Sequence, residues 1–410
     1  MLRMGFKSIF SLIAVFTLYT CIDPFNPKIT GYESLLVVDG AISDANTSST
    51  VRLSRTVSKQ DSNPVMVSNA TLFISDDAGH NSYLVNRGNG IYKTDSLDFK
   101  GVAGRTYILH IKTGEGMEYE SEPCLMQPGV DIDSIYFAKD KELVNNGTES
   151  LEGIRIFLDS KGGGTETYYR WDFDETWKFK VPNPKKYDFN AADTSFIPHN
   201  PVNEFGWKSM KSDLILTHSD VSAKSGTLEE MPLYFIASEK TDRLLIQYSI
   251  LVRQHSISKK EYDFWENIKQ VNEAGDDVFS KQPYPVSSNI HNISNPNEKV
   301  LGYFQVSSVR EKRRYITISE IVGLNLPYYH YPCTRIEMAP QDYPRSPLSP
   351  PLTWIDLYDM FCVTSDYYFV EPKYKPGTNE LDKMVFTTPE CADSELTGTS
   401  TKPDFWTDLE

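Results

Sequence analysis

Residues 104–122 read GRTYILHIKTGEGMEYESE, and this stretch predicts a β-hairpin. Tyr107, Leu109 and Ile111 recur at every second position, which is the side-chain period of a strand. Gly114 and Gly116 predict the turn, and Tyr119 lies on the returning strand. The stretch therefore predicts β-structure with one apolar face.

Short runs of the same kind precede this hairpin. They include SLLVVDG at 34–40, TVRLSRT at 50–56 and NATLFISDDAG at 69–79. Strands of this length and spacing, without helical periodicity, are typical of a small β-sandwich. We therefore expect an Ig-like β-sandwich over residues 34–126.

A second, larger unit is expected after the QPGVDID segment at 127–133. Its strand signals include EGIRIFLDS at 152–160, TYYRWDFDETWKFKV at 167–181 and RLLIQYSILVRQ at 243–254. One amphipathic helix near 258–274 is marked by the Ser258–Glu261 capping box and by an apolar face that includes Trp265. The predicted fold is mainly β: the N-terminal sandwich, then a β-rich domain over 130–410 with this one docked helix.

The N-terminus predicts an export signal. Residues 1–20 combine a positive start with an apolar core that is too short to span a bilayer. Leu18 stands three residues before Cys21, as in a bacterial lipobox, so we expect 1–20 to be a lipoprotein signal peptide and Cys21 to be lipidated. Residues 21–33, broken by Pro24 and Pro27, predict a tether. The alternative is an ordinary secreted protein with a structural first cysteine.

The composition excludes some partners. The chain carries 56 acidic and 41 basic residues, for a net charge of −15. This charge argues against binding nucleic acid and against electrostatic adhesion to anionic lipid. The aromatic content of 12% favours β-structure over a helical bundle.

Four cysteines follow Cys21, namely Cys124, Cys333, Cys362 and Cys391. An even number in an exported chain predicts two disulfides, and four cysteines allow three pairings. Three of them lie in the last 80 residues of the chain, so we expect a disulfide-stapled C-terminal region.

Several segments together resemble the DUF4249 lipoproteins of Bacteroidota. The segments are CIDPF, LLVVDG, VRLSRT, YYRWDFDETW, EYDFWENI, VLGYFQVSS and KPDFW. The resemblance implies a lipoprotein associated with the outer membrane and often encoded beside TonB-dependent transporters of the SusC type, and it implies neither an activity nor a ligand. Family members often have a cysteine three residues after the position of Cys391, where this chain has Ser394. Cys391 is then left to reach Cys333, Cys362 or Cys124, and we favour Cys333 because that bond would tie the C-terminal tail to a strand region.

Signatures of catalysis are missing from the sequence. The seven histidines are scattered, and neither H-E-x-x-H nor G-x-S-x-G occurs. We therefore predict no enzyme, no cofactor and no metal site. WDFDETW at 171–177 places Asp172 and Asp174 on one strand face, which is most simply a solvated face, with calcium binding or an acid/base pair as alternatives. DSL at 95–97 and DSI at 133–135 resemble O-glycosylation acceptors, although such short matches also arise by chance.

Aromatic-rich loops supply the candidate surface for a partner or ligand. They are NEFGW at 203–207, LPYYHYP at 326–332 and DYYFVEPKY at 366–374. Such loops form protein interfaces, stack against sugars or pack in the core. The candidate residues are Trp207, Tyr328, Tyr329, Tyr331, Tyr367 and Tyr368.

These observations favour a non-catalytic lipoprotein, anchored in the outer membrane on the cell-surface side. We expect it to be an accessory subunit of a TonB-dependent (SusC-like) transporter or of another outer-membrane barrel assembly. The alternative is a surface lipoprotein that captures a carbohydrate or peptide. A hydrolase with an unfamiliar site is disfavoured because no nucleophile–base signature is present.

Overall fold

The computed structural model describes residues 34–57, 63–94, 99–161, 167–201, 203–220, 227–274, 288–346 and 348–409. The expected signal peptide at 1–20, Cys21, the expected tether at 21–33 and the DSL sequence at 95–97 lie outside these ranges, so the expectations for them stay predictions. In the described ranges, no helix has both the length and the apolar character needed to cross a membrane.

The fold is mainly β, as predicted. The strands of the N-terminal part are β1 (Leu36–Ser43), β2 (Thr50–Arg55), β3 (Val65–Met66), β4 (Thr71–Asp76), β5 (Asn81–Asn86), β6 (Ile91–Thr94), β7 (Thr106–Lys112), β8 (Glu118–Ser121) and β9 (Cys124–Leu125). The predicted hairpin is confirmed, since β7 pairs with β8 in antiparallel fashion.

The larger part of the chain adds fourteen described strands. They are β10 (Ile132–Val144), β11 (Glu149–Ser160), β12 (Thr167–Lys180), β13 (Tyr187–Asn190), β14 (Ser195–Pro198), β15 (Phe205–Lys211), β16 (Leu216–Asp220), β17 (Leu228–Ala237), β18 (Gln247–Ile257), β19 (Ile290–Asn292), β20 (Val300–Thr317), β21 (Arg335–Met338), β22 (Tyr368–Tyr374) and β23 (Leu381–Thr387). Its helices are α1 (Lys259–Ala274), α2 (Ile318–Ile321) and α3 (Trp354–Tyr358), and a π-helical turn (Asp359–Thr364) follows α3.

The N-terminal sheet recruits strands from beyond residue 126. Its order is β20-β1-β2-β6-β5-β4-β7-β8-β19, and all of these strands contribute side chains to one core. The two ends of this strand order meet. Asn289 beside β19 bonds both backbone groups of Phe304 on β20, at 3.0 and 2.8 Å. β1 and β20 are parallel, and parallel neighbours need a long connection. The predicted 34–126 unit is therefore completed by residues 289–307.

A second core lies between two layers. β12, β18 and β20 are successive strands of one layer, and β10, β11 and β17 form the facing sheet. Trp171 and Phe173 of β12 pack with Ile154 and Ile156 of β11 in this core. The long strand β20 pairs with β1 through its first half and with β18 through its second half, so one continuous sheet joins both parts.

The C-terminal region forms a third, smaller core. The sheet β21-β23-β22, the β13–β14 hairpin and α3 surround Leu357, Phe369 and Phe386. The expected disulfide between Cys333 and Cys391 is confirmed, with 5.9 Å between the Cα atoms. It ties the segment before β21 to the tail after β23.

The expectation of a second disulfide is wrong. Cys124 and Cys362 are free thiols. Cys124 packs against the N-terminal core and Cys362 against the C-terminal core, so the two thiols are separated by the architecture. Burial raises the pKa of Cys124 to about 12 and that of Cys362 to about 11.

Helix α1 docks on the sheet, as predicted. Ser258 caps its start by accepting a hydrogen bond from the backbone N–H of Glu261 at 3.2 Å. Phe264 is buried against Tyr303 of β20, with 4.6 Å between the ring centroids, whereas Trp265 is only partly buried. Phe264 is thus the deepest apolar contact of the helix.

Candidate functional site

The aromatic residues predicted for a partner surface have different environments. Trp207 is only 8% exposed and packs edge-on against Trp406, so its assignment to the surface is wrong: the C-terminal tail covers it. Tyr367 is half-buried against Phe361, and Tyr368 is exposed.

The tyrosine loop, residues 326–332, is held at both ends. Before the loop, Lys139 donates to the carbonyl of Leu324 at 2.9 Å. Near its end, the hydroxyl of Tyr331 donates to Asp242 at 3.3 Å, and Cys333 enters the disulfide. Tyr328 projects between these anchors and is 64% exposed, and Tyr329 is half-buried. The loop therefore presents an exposed tyrosine on a fixed backbone.

The two carboxylates of WDFDETW do share one face of β12, as predicted. Both accept from Arg253 of β18: Asp172 lies 3.0 Å from Nη1, and Asp174 bonds Nη2. A guanidinium therefore occupies the position between them where a calcium ion would bind. Among the described residues, no group of three or more His, Cys, Asp or Glu side chains could hold a metal.

A chain of hydrogen bonds crosses three strands on this face. His255 Nε2 lies 2.8 Å from Asp172, and its Nδ1 lies 3.1 Å from the hydroxyl of Ser307. Because a carboxylate only accepts, the neutral ring donates to Asp172 and accepts from Ser307. Burial and the nearby charge of Arg170 lower the pKa of His255 to about 4. Although burial opposes it, the bond from His255 holds the pKa of Asp172 well below its usual range.

This serine–histidine–aspartate order resembles a catalytic triad in its residue types. Ser307, however, is 4% exposed within β20. The cleft beside the network, described next, is lined by Asp172 but by neither His255 nor Ser307. A nucleophile has to reach its substrate, but in this network the residue that borders the cleft is Asp172 and not Ser307.

A cleft of about 340 Å³ lies beside this network. Its floor is the outer face of the sheet, with Asp172 and Gln305, and one wall is Trp265 of α1. Lys211 at the end of β15 and residues 212–215, which link β15 to β16, complete the lining. Arg170 extends into the cleft with its guanidinium 4.9 Å from the Trp265 ring centroid. We call this feature the Arg170 cleft.

Behind the Arg170 cleft, Glu261 of α1 is buried against β20. It accepts from the backbone N–H of Val306 at 3.4 Å. Burial raises its pKa to about 7, although the charge of Arg170 acts in the opposite direction. A carboxyl group with this pKa titrates near neutrality.

The DSI sequence at 133–135 lies in β10. The hydroxyl of Ser134 donates to Asp159 at 2.8 Å, and Ile135 is buried. Ser134 therefore has a structural role in the described fold.

The sequence did not point to Arg170, Arg253, His255 or Ser307. A signal was available, because Arg253 and His255 stand two apart inside the apolar run of β18, as Asp172 and Asp174 do in β12. Polar residues at strand spacing in neighbouring strands indicate a shared polar face. Which residues meet across strands depends on register, which the sequence did not supply.

Three comparisons with known proteins bear on the family. A family model described as "Domain of unknown function (DUF4249)" matches residues 22–313. No curated protein matches the chain. Among solved structures, the "Biofilm associated protein - BSP domain" is similar at 7% identity over 72% of this chain, with a TM-score of 0.14. The match spans 63% of that chain, and a likeness this low carries no argument about fold or function.

The family match takes in the N-terminal sheet, helix α1 and all the residues of the Asp172 network, and it ends inside β20. It covers well over half of the chain, so the protein belongs to the family of the domain of unknown function DUF4249.

Proposed function

We propose that this protein is a non-catalytic, lipid-anchored outer-membrane lipoprotein that serves a barrel protein, such as a TonB-dependent (SusC-like) transporter, as an accessory subunit. The lipobox-like segment before Cys21 supports the anchor. The single observation that supports a protein partner is the tyrosine loop. A partner that binds an already fixed loop loses little conformational entropy.

The chemistry of the loop fits an interface. Tyr328 combines an apolar ring with a hydroxyl that tolerates exposure, and tyrosine is enriched among the residues that dominate binding energy. Its neighbour His330 packs edge-on against it, with 5.3 Å between ring centroids. The exposed ring is therefore oriented before a partner arrives.

The test is co-purification from detergent-solubilised outer membranes. Tyr328→Ala should greatly reduce recovery of the barrel protein, because truncating an interface hot spot costs about 2 kcal/mol or more. Tyr83→Ala is the matched control, since Tyr83 has the same 64% exposure but lies on β5 of the N-terminal sheet. The proposal fails if no barrel protein accompanies the wild type, or if both variants lose it equally.

The second candidate function is capture of a small ligand at the cell surface. The Arg170 cleft favours it, because a concave site with a few convergent polar groups is typical of ligand binding. Both functions are compatible in one lipoprotein.

A further inference from the structure

The guanidinium of Arg170 has unused donors. Its only ion pair in the described structure is with Asp172, at 3.5 Å. Its Nε is buried, and no hydrogen-bond partner for it lies among the described residues. Arginine carries five N–H donors in a planar fork that matches a carboxylate. Arg170 therefore stands at the cleft with donor capacity to spare.

The acidic residue beside Arg170 is already compensated. Asp172 has closer partners than Arg170, namely His255 at 2.8 Å and Arg253 at 3.0 Å. Its negative charge consequently does not cancel that of Arg170 in full. Lys211 adds a second cation from the end of β15, and Asp213 lies at the exposed rim, where water screens its charge.

Apart from Ser212 and Gln305, the remaining side chains that line the cleft are apolar. Ala41, Leu214, Ile215 and the Trp265 ring border the same space. A volume of about 340 Å³ falls at the lower end of the range for small-ligand sites, roughly 300–1,000 Å³. The cleft thus combines two cations with an apolar wall at the scale of a small molecule.

We propose that the Arg170 cleft binds the carboxylate of a small ligand, with Arg170 and Lys211 holding the carboxylate and the apolar side chains of Trp265 and Leu214 contacting the body of the molecule. Two sources carry this chemistry, the C-terminus of a short peptide and a sugar acid. This site deepens the second candidate function, ligand capture, and rests on it; it does not depend on the barrel partner, so the two proposals can fail separately.

The experiment is isothermal titration of the purified full-length protein in detergent with three probes. They are the tripeptide Ala-Ala-Leu, the same tripeptide with an amidated C-terminus, and digalacturonic acid. We expect one of the two probes that carry a carboxylate, the free tripeptide or digalacturonic acid, to bind. The amide should bind at least about tenfold more weakly than the free tripeptide if the peptide is the source, because it lacks the charge that makes a bond to arginine strong.

Variants locate the site. Lys211→Glu reverses an exposed charge at the rim and should weaken binding about tenfold without disturbing the core. Lys93→Glu is the matched control, because Lys93 is exposed on β6 of the N-terminal sheet, and it should bind like the wild type. Arg170→Lys retains the charge but loses the planar fork, so it should also weaken binding.

Each outcome decides the proposal. Carboxylate-dependent binding of the tripeptide supports it with a peptide source, and binding of digalacturonic acid supports it with a sugar-acid source. If neither the free tripeptide nor digalacturonic acid binds at millimolar concentration, the proposal is overturned. Equal binding of the amide and the free tripeptide, without binding of digalacturonic acid, overturns it as well. Equal affinity of the Lys211→Glu and Lys93→Glu variants for the probe that binds the wild type also overturns the proposal.

Discussion

The two faces of β12 differ in what they do, although they alternate along the same strand. The inner face carries Trp171 and Phe173 into the core between the two layers. The outer face carries Arg170, Asp172 and Asp174 toward the cleft and the ion pairs with β18. One strand therefore supplies both the stability of the fold and the chemistry of its surface, because successive side chains point to opposite sides.

The inner face accepts a charge only when the charge is fully paired. Glu175 is buried there, and it bonds Arg243 at 3.1 Å and the hydroxyl of Tyr248 at 2.8 Å. On the outer face, Asp174 is 37% exposed, so water supports its charge. Removing a side chain should therefore have unequal consequences on the two faces.

The largest effect is expected on the inner face. Phe173→Ala removes a ring that is packed against Tyr234, with 5.2 Å between centroids, and should lower the free energy of unfolding by about 3–5 kcal/mol. Asp174→Ala on the outer face is the matched control and should cost less than about 1 kcal/mol. Urea denaturation measures both. Equal losses would mean that the two faces do not differ as described.

A smaller effect is expected from the histidine of the outer face. The pKa of His255 is about 4 in the folded protein, compared with an ordinary value of 6.5. Below pH 6.5 the unfolded chain takes up a proton that the folded chain does not, so stability falls as the pH drops from 6.5 toward 4. Between pH 7 and pH 4 this contribution amounts to about 3 kcal/mol.

The measurement is the difference in unfolding free energy between the wild type and His255→Gln, taken at pH 7 and at pH 4. Between pH 7 and pH 4, the wild type should lose about 3 kcal/mol more unfolding free energy than His255→Gln does. His291→Gln serves as the control, because His291 is exposed on β19. A difference between wild type and His255→Gln that stays constant with pH would contradict the neutral, buried state of the ring.

The smallest effect is expected from Glu261, and it has the opposite sign. Its pKa is raised by burial from 4.5 to about 7. The folded protein therefore keeps a proton that the unfolded chain releases, and stability falls as the pH rises. Between pH 5 and pH 7 this amounts to about 2 kcal/mol. Glu261→Gln should remove this pH dependence in thermal or urea denaturation, whereas Asp263→Asn on the exposed side of α1 should retain it.

Local patterns in the sequence predicted the local elements. The period-two alternation around Leu109 predicted the β7–β8 hairpin, and Ser258 predicted the start of α1. These features depend on residues close together in the chain, where side-chain period and capping decide the structure. The same reasoning placed Asp172 and Asp174 on one face correctly.

Long-range features could be predicted only in part. The pairing of Cys333 with Cys391 was correctly favoured, but the second disulfide was not formed because Cys124 and Cys362 belong to different cores. Trp207 was assigned to the surface because the covering position of Trp406 cannot be read from a loop sequence. In both cases the deciding contact comes from a distant part of the chain.

The sequence by itself determined a mainly β protein, the docked helix and the two faces of β12, because side-chain periodicity is a property of neighbouring residues. Only the tertiary structure decided that β20 joins both parts of the sheet, that Arg253 lies between the two carboxylates, and that Arg170 faces a cleft beneath Trp265. Register and strand order are set by the total burial of many distant side chains. No short stretch of residues contains that information.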